Sequence, residues 1–101
     1  MDYSKRFYKT VVSGTPQQID QTPASGEKIH IVAIGGNAAR DAAVRVEISF
    51  GSEIILSTHG DTVQKCDMIF VGDGIKKLTI KLINDSGADE TIGAYYIAKK
   101  K

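Results

Sequence analysis

Hydrophobic residues in this chain fall at every second position within short runs, and clusters of Gly, Asp, Asn, Ser and Pro separate one run from the next. Residues 43–50 show the rhythm most clearly: Val44, Val46, Ile48 and Phe50 alternate with Arg45, Glu47 and Ser49. That period of two is the pattern of a strand with one face in a core and the other in solvent. Residues 76–84 repeat it, with Leu78, Ile80 and Leu82 predicted inward and Lys77, Thr79 and Lys81 outward. Residues 28–34 are apolar on both sides, Ile29, Ile31 and Ala33 on one and His30, Val32 and Ile34 on the other, as expected of a central strand covered on both faces. Further strands are predicted at 6–13, 17–22, 53–57, 63–71 and 91–98, and no segment carries a sustained helical period. The alanines of the connection at 35–42 leave room there for a single helical turn.

The residues between the runs suit sharp reversals. Gly51-Ser52 is a two-residue link of the kind that closes a type II′ hairpin between 43–50 and 53–57. Gly72-Asp73-Gly74 is predicted to close a second hairpin, between 63–71 and 76–84. Eight antiparallel strands predict an all-β protein, an eight-stranded antiparallel β-sandwich of jelly-roll type. An immunoglobulin-like sandwich is the alternative; it usually carries a Trp against a core disulfide, and this chain has no Trp and one Cys. A single domain is expected over 14–101, preceded by a segment, 1–13, that serves as an arm or an edge strand.

Composition narrows the class without naming a task. With 101 residues, 42% hydrophobic and 25% charged, the chain is sized for one core without disulfides or metals. Thirteen Lys and Arg against 12 Asp and Glu leave a net charge of +1, which provides no global field for nucleic acid or an anionic membrane. No apolar stretch reaches the roughly 18 residues of a membrane span, and residues 1–9 are too polar for a signal sequence, so a soluble, unexported chain is expected. Lys99-Lys100-Lys101 reads as a solvated tail.

The residues that could carry chemistry are scattered. His30 and His59 lack the close partners that make a metal site recognisable, and His30 is expected at a sheet surface or interface. Cys66 reads as a small buried hydrophobe in its strand rather than a nucleophile, with Lys65 on the opposite face. Asp85, Asp89 and Glu90, with Asn84, Ser86 and Gly87, offer oxygen ligands, but their spacing is not that of a helix-flanked calcium loop. Gly72-Asp73-Gly74 precedes no helix and reads as a turn rather than a phosphate cradle. Tyr3, Tyr8, Tyr95 and Tyr96 would make a sugar-stacking platform if one face exposed them together. No catalytic residue, metal ligand or cofactor is expected, so the chain reads as a non-enzyme.

Three segments carry a resemblance: Pro23-Ala24-Ser25-Gly26-Glu27-Lys28-Ile29-His30-Ile31, Val44-Arg45-Val46-Glu47-Ile48, and Gly72-Asp73-Gly74 ahead of Leu78-Thr79-Ile80-Lys81-Leu82-Ile83-Asn84. Together, over residues 23–97, they resemble the small jelly-roll proteins of tailed-phage virions, most of all head decoration, or cement, proteins. The resemblance lies in strand rhythm and turn residues rather than in a diagnostic motif. It implies a non-enzymatic homodimer or homotrimer, made in the host cytoplasm, that sits on the capsid surface and bridges major capsid subunits, with neither nucleic acid nor membrane as partner. Tyr3, Arg6, Phe7 and Tyr8, a mixed-charge aromatic stretch, are then the expected contacts with the partner. A carbohydrate- or receptor-binding sandwich is the alternative function.

Overall fold

The computed structural model describes residues 3–38 and 43–101. Its eight strands are β1 (Lys5–Val11), β2 (Gln17–Gln21), β3 (Lys28–Asn37), β4 (Val44–Phe50), β5 (Glu53–Thr58), β6 (Thr62–Val71), β7 (Leu78–Asn84) and β8 (Glu90–Lys100). They form two four-stranded antiparallel sheets, ordered β1-β8-β3-β6 and β2-β7-β4-β5. The pairs β1·β8, β2·β7, β3·β6 and β4·β5 are those of one long hairpin rolled up on itself. The pairs β3·β8 and β4·β7 knit the roll into two sheets. This is the jelly-roll order, and it decides against the immunoglobulin-like alternative.

The core lies between the sheets. The β2 sheet supplies Val44, Val46, Ile48, Phe50, Leu78, Ile80 and Leu82, the residues whose alternation marked them as inward. The β1 sheet supplies Val11, Ile29, Ile31, Ile34, Ile92, Ala94, Tyr96 and Ala98. Phe50 meets Phe70 across the sandwich, ring centres 5.1 Å apart and planes inclined at 48°. Gly36 of β3 packs tightly against the opposite sheet: a Cβ there would stand 2.6 Å from Cγ2 of Val46.

Two polar clusters close the roll. Asn84 is fully buried and its amide is saturated: Nδ2 donates to the carbonyls of Val11 (2.8 Å) and Ala88 (2.7 Å), and Oδ1 accepts from the backbone N–H (3.0 Å) and hydroxyl (2.7 Å) of Ser86. One side chain thus ties the end of β1 to the β7–β8 turn. Elsewhere, Gln21 Nε2 donates to the Tyr3 carbonyl (2.6 Å) and to the Tyr96 hydroxyl, joining β2 to the opposite sheet.

Four expectations are corrected. β3 does not alternate evenly: a bulge between Ile31 and Ala33 turns Ala33 outward beside Ile97 and brings Ile34 into the core. An extra residue in one strand reverses every later side chain. β3 also runs on through Gly35 and Gly36 to Asn37, where the sequence suggested a connection; of the stretch 35–42 in which a helical turn was anticipated, residues 39–42 lie outside the described residues. β6 and β7 do not form a hairpin, because they belong to different sheets. The link between them packs instead on the β2–β3 turn, with Gly72 N–H donating to Glu27 O and Gly26 N–H to Gly72 O, both at 2.8 Å. Finally, Lys99 and Lys100 are part of β8, a central strand, rather than a tail, and Lys100 lies 3.8 Å from Glu27.

The segment at the N-terminus is an edge strand of the sandwich. β1 pairs with β8 over its full length, and Tyr3 N–H extends the pairing to Ala98 O at 2.8 Å. The Gly51-Ser52 hairpin has the expected form: Gly51 sits at φ +58° and Ser52 is not left-handed, as a type II′ turn requires.

Candidate functional site

Strand parity decides which side chains leave the core, and on the β1 sheet it assembles an outer face of unusual composition. β1 sends out Arg6, Tyr8 and Thr10, opposite Tyr95, Gly93 and Thr91 of β8. β8 adds Ile97 beside Ala33, and β3 adds Gly35 beside Tyr95. The centre of the face is therefore floored by small residues. The two tyrosine rings lie down on that floor: a Cβ on Gly93 would meet Cδ1 of Tyr8 at 1.8 Å, and one on Gly35 would meet Cε1 of Tyr95 at 2.4 Å. Aromatic rings laid over strand glycines cover backbone that would otherwise be bare.

Between these rings lies a cleft of about 410 Å³, lined by Ser4, Lys5, Arg6, Tyr8, Tyr95, Tyr96 and Ile97. The Arg6 guanidinium sits 5.8 Å from the centre of the Tyr8 ring, within the range of a cation–π contact. Tyr8 keeps 48% of its surface exposed despite that contact. The floor is rigid, since its backbone is held by β1, β8 and β3 together. Its chemistry is that of recognition: two aromatic faces, one guanidinium and an aliphatic rim.

Of the four residues expected to contact a partner, Arg6 and Tyr8 stand on this face. Tyr3 and Phe7 do not. Tyr3 is buried and donates its hydroxyl to Glu27, and Phe7 packs against the core from the inner side of β1. The hydrogen bond to Glu27, with burial and the Glu27 charge behind it, raises the Tyr3 phenol above its ordinary pKa. Of the four tyrosines considered for a stacking platform, Tyr8 and Tyr95 share the cleft mouth; Tyr96 is buried, and burial pushes its phenol up to about 12. Tyr95 was read only as part of a stacking platform, and Ile97 was not singled out as a surface residue. The available signal was parity in β8, where Gly93, Tyr95 and Ile97 alternate with the inward residues Ala94, Tyr96 and Ala98.

The remaining candidates are accounted for by local structure. His30 stands on the outer face of β3 and hydrogen-bonds Asp67 of β6. His59 is exposed in the β5–β6 turn. The Cys66 thiol faces inward and donates to Ile31 O at 3.4 Å; burial, and next the charge of Asp67, push its pKa up, away from the thiolate a nucleophile needs. Asp73 accepts the N–H groups of Lys76 (2.7 Å) and Ile75 (2.8 Å), which hold its carboxyl below the usual range and make the Gly-Asp-Gly segment an Asx turn. In the acidic loop Asn84 spends its amide on the fold. Among the described residues no three His, Cys, Asp or Glu side chains converge as a metal site would require. Nor is any described helix long and apolar enough to cross a membrane.

No protein-family model and no curated protein matches this sequence.

Proposed function

We propose that this chain is a non-enzymatic structural protein of a tailed-phage virion, a decoration or cement protein that binds the major capsid lattice through the outer face of its β1 sheet. The observation that carries the reading is the Tyr8–Tyr95 face: aromatic anchors and an arginine held on a glycine floor by a rigid jelly roll. Buried Tyr and Arg anchors on a preorganised surface are how assembly proteins obtain affinity without reactive groups. The strand rhythm shared with small jelly-roll virion proteins supports the particular setting.

The test is pelleting of the purified chain with capsids that lack it, wild type beside an R6A/Y8A variant. Saturable co-sedimentation of the wild type, weakened at least tenfold in the variant, is expected. Failure of the wild type to pellet would overturn the decoration reading, and equal pelleting of both would move the contact off this face.

The same cleft favours a second reading, a carbohydrate- or receptor-binding module, because an exposed and a half-buried tyrosine ring beside a guanidinium suit stacking on a sugar. Millimolar or tighter binding of simple glycans, lost in Tyr8→Ala and Tyr95→Ala, would support that reading over the first.

A further inference from the structure

A four-stranded sheet leaves two edges, and this sandwich has four: β1 and β6 in one sheet, β2 and β5 in the other. An open edge presents unpaired N–H and C=O groups and is a template for another chain unless something blunts it. Three of the four are short or guarded. β2 has five residues and β5 six, while β1, with seven, carries Lys5, Arg6 and Lys9 and no acidic residue, so two copies repel. β6 is different. It has ten residues, and among the described residues nothing pairs with its outer edge. Its outward positions also expose apolar surface, with Val63 at 81% and Ile69 at 48%.

The sequence of β6 is complementary to itself. Two copies related by a twofold axis pair antiparallel, and residues directly opposite must share a face. The axis must therefore pass through a residue rather than between two. If it passes through Lys65, the two Lys65 ammonium groups oppose each other; through Asp67, the two carboxylates do. If it passes through Cys66, each Lys65 faces the Asp67 of the other copy and each Val63 faces the other copy's Ile69. Opposite charges across a strand pair are favourable and like charges unfavourable, so charge selects this register. Asp67 also bonds His30 of its own chain, and a carboxylate has acceptor sites enough for both neighbours.

We propose that β6 is a homodimerisation edge, pairing antiparallel with β6 of a second copy about Cys66 and fusing the two β1 sheets into one continuous eight-stranded sheet. The inference deepens the assembly reading by naming its self-contact. It is separable from that reading, because it concerns the free chain and needs no capsid. The dimer would carry two Tyr8–Tyr95 clefts on a single surface, one in each half.

Light scattering with size separation tests it, on wild type, K65D and D67K over a concentration series from 1 to about 100 μM, with circular dichroism confirming that each remains folded. Both side chains are solvent-facing, so the fold is expected to survive each change. The wild type should run as a dimer, and each variant, which sets like charges opposite each other twice, should dissociate at least tenfold more readily. An equimolar mixture of the two variants should dimerise again, because a strand that is acidic at both positions then faces a strand that is basic at both. A wild type that stays monomeric at the highest concentration overturns the proposal. So does a dimer indifferent to both single changes, or a mixture that fails to recover. Capsid binding by a monomeric wild type would leave the decoration reading standing and remove only this one.

Discussion

Glycine does opposite work at two positions of the same sheet. Gly36 faces inward, where an added Cβ would meet Val46 of the other sheet, whereas Gly93 faces outward beneath Tyr8. Gly36→Ala is therefore expected to overpack the core and cost about 1–3 kcal/mol in denaturant unfolding. Gly93→Ala should instead lift the Tyr8 ring and reshape the cleft, seen as weakened partner binding. Asn84 makes a comparable prediction from hydrogen bonds: Asn84→Ala strands the carbonyl of buried Val11 and should cost about 1–3 kcal/mol, read as a lower denaturation midpoint at an unchanged slope. Tyr96 adds a pH dependence. Its phenol, raised to about 12 in the folded chain, holds its proton where the unfolded chain, near the ordinary value of 10.0, has lost it. The folded state then binds more protons than the unfolded one, so stability falls as pH rises from 10 toward 12. Tyr3 shifts in the same direction. Tyr96→Phe should flatten that alkaline decline in a pH series of thermal melts.

At the scale of elements, what was legible in the sequence was what period two can encode. β4 and β7 are flanked on both sides within their sheet and covered by the core on one face, so their alternation is uninterrupted and their inward residues could be read directly. β3 could not be read past Ile31, because a bulge leaves no mark on composition and the strand crosses from one parity to the other. The β6–β7 pairing was misread for a related reason: alternation specifies a strand's faces but not its neighbour, and a Gly-Asp-Gly turn serves a crossover between sheets as well as a hairpin. The candidate site divides the same way. Arg6 and Tyr8 were legible as a mixed aromatic stretch, while Tyr95 needed its register with β1 and β3 before it could be placed. That register also changes how the N-terminal segment is tested. Removing residues 1–9 deletes most of β1 and the Phe7 packing, so the truncation is expected to lower thermal stability markedly. R6A/Y8A changes only outward side chains and should leave unfolding within about 1 kcal/mol of wild type.

On the scale of the whole molecule, the jelly roll separates its tasks by surface. The space between the sheets supplies stability, while the outer face of the β1 sheet is the proposed partner surface and the β6 edge the proposed self-contact. The proposed role in assembly rests on the aromatic and arginine face of the β1 sheet. The most direct test of the proposed role is to purify tailed-phage particles made with this chain present and measure its copy number against the major capsid protein by quantitative mass spectrometry. The account predicts a fixed, high stoichiometry that survives stringent purification. Absence from those particles, with the chain abundant in the infected cell, would contradict it.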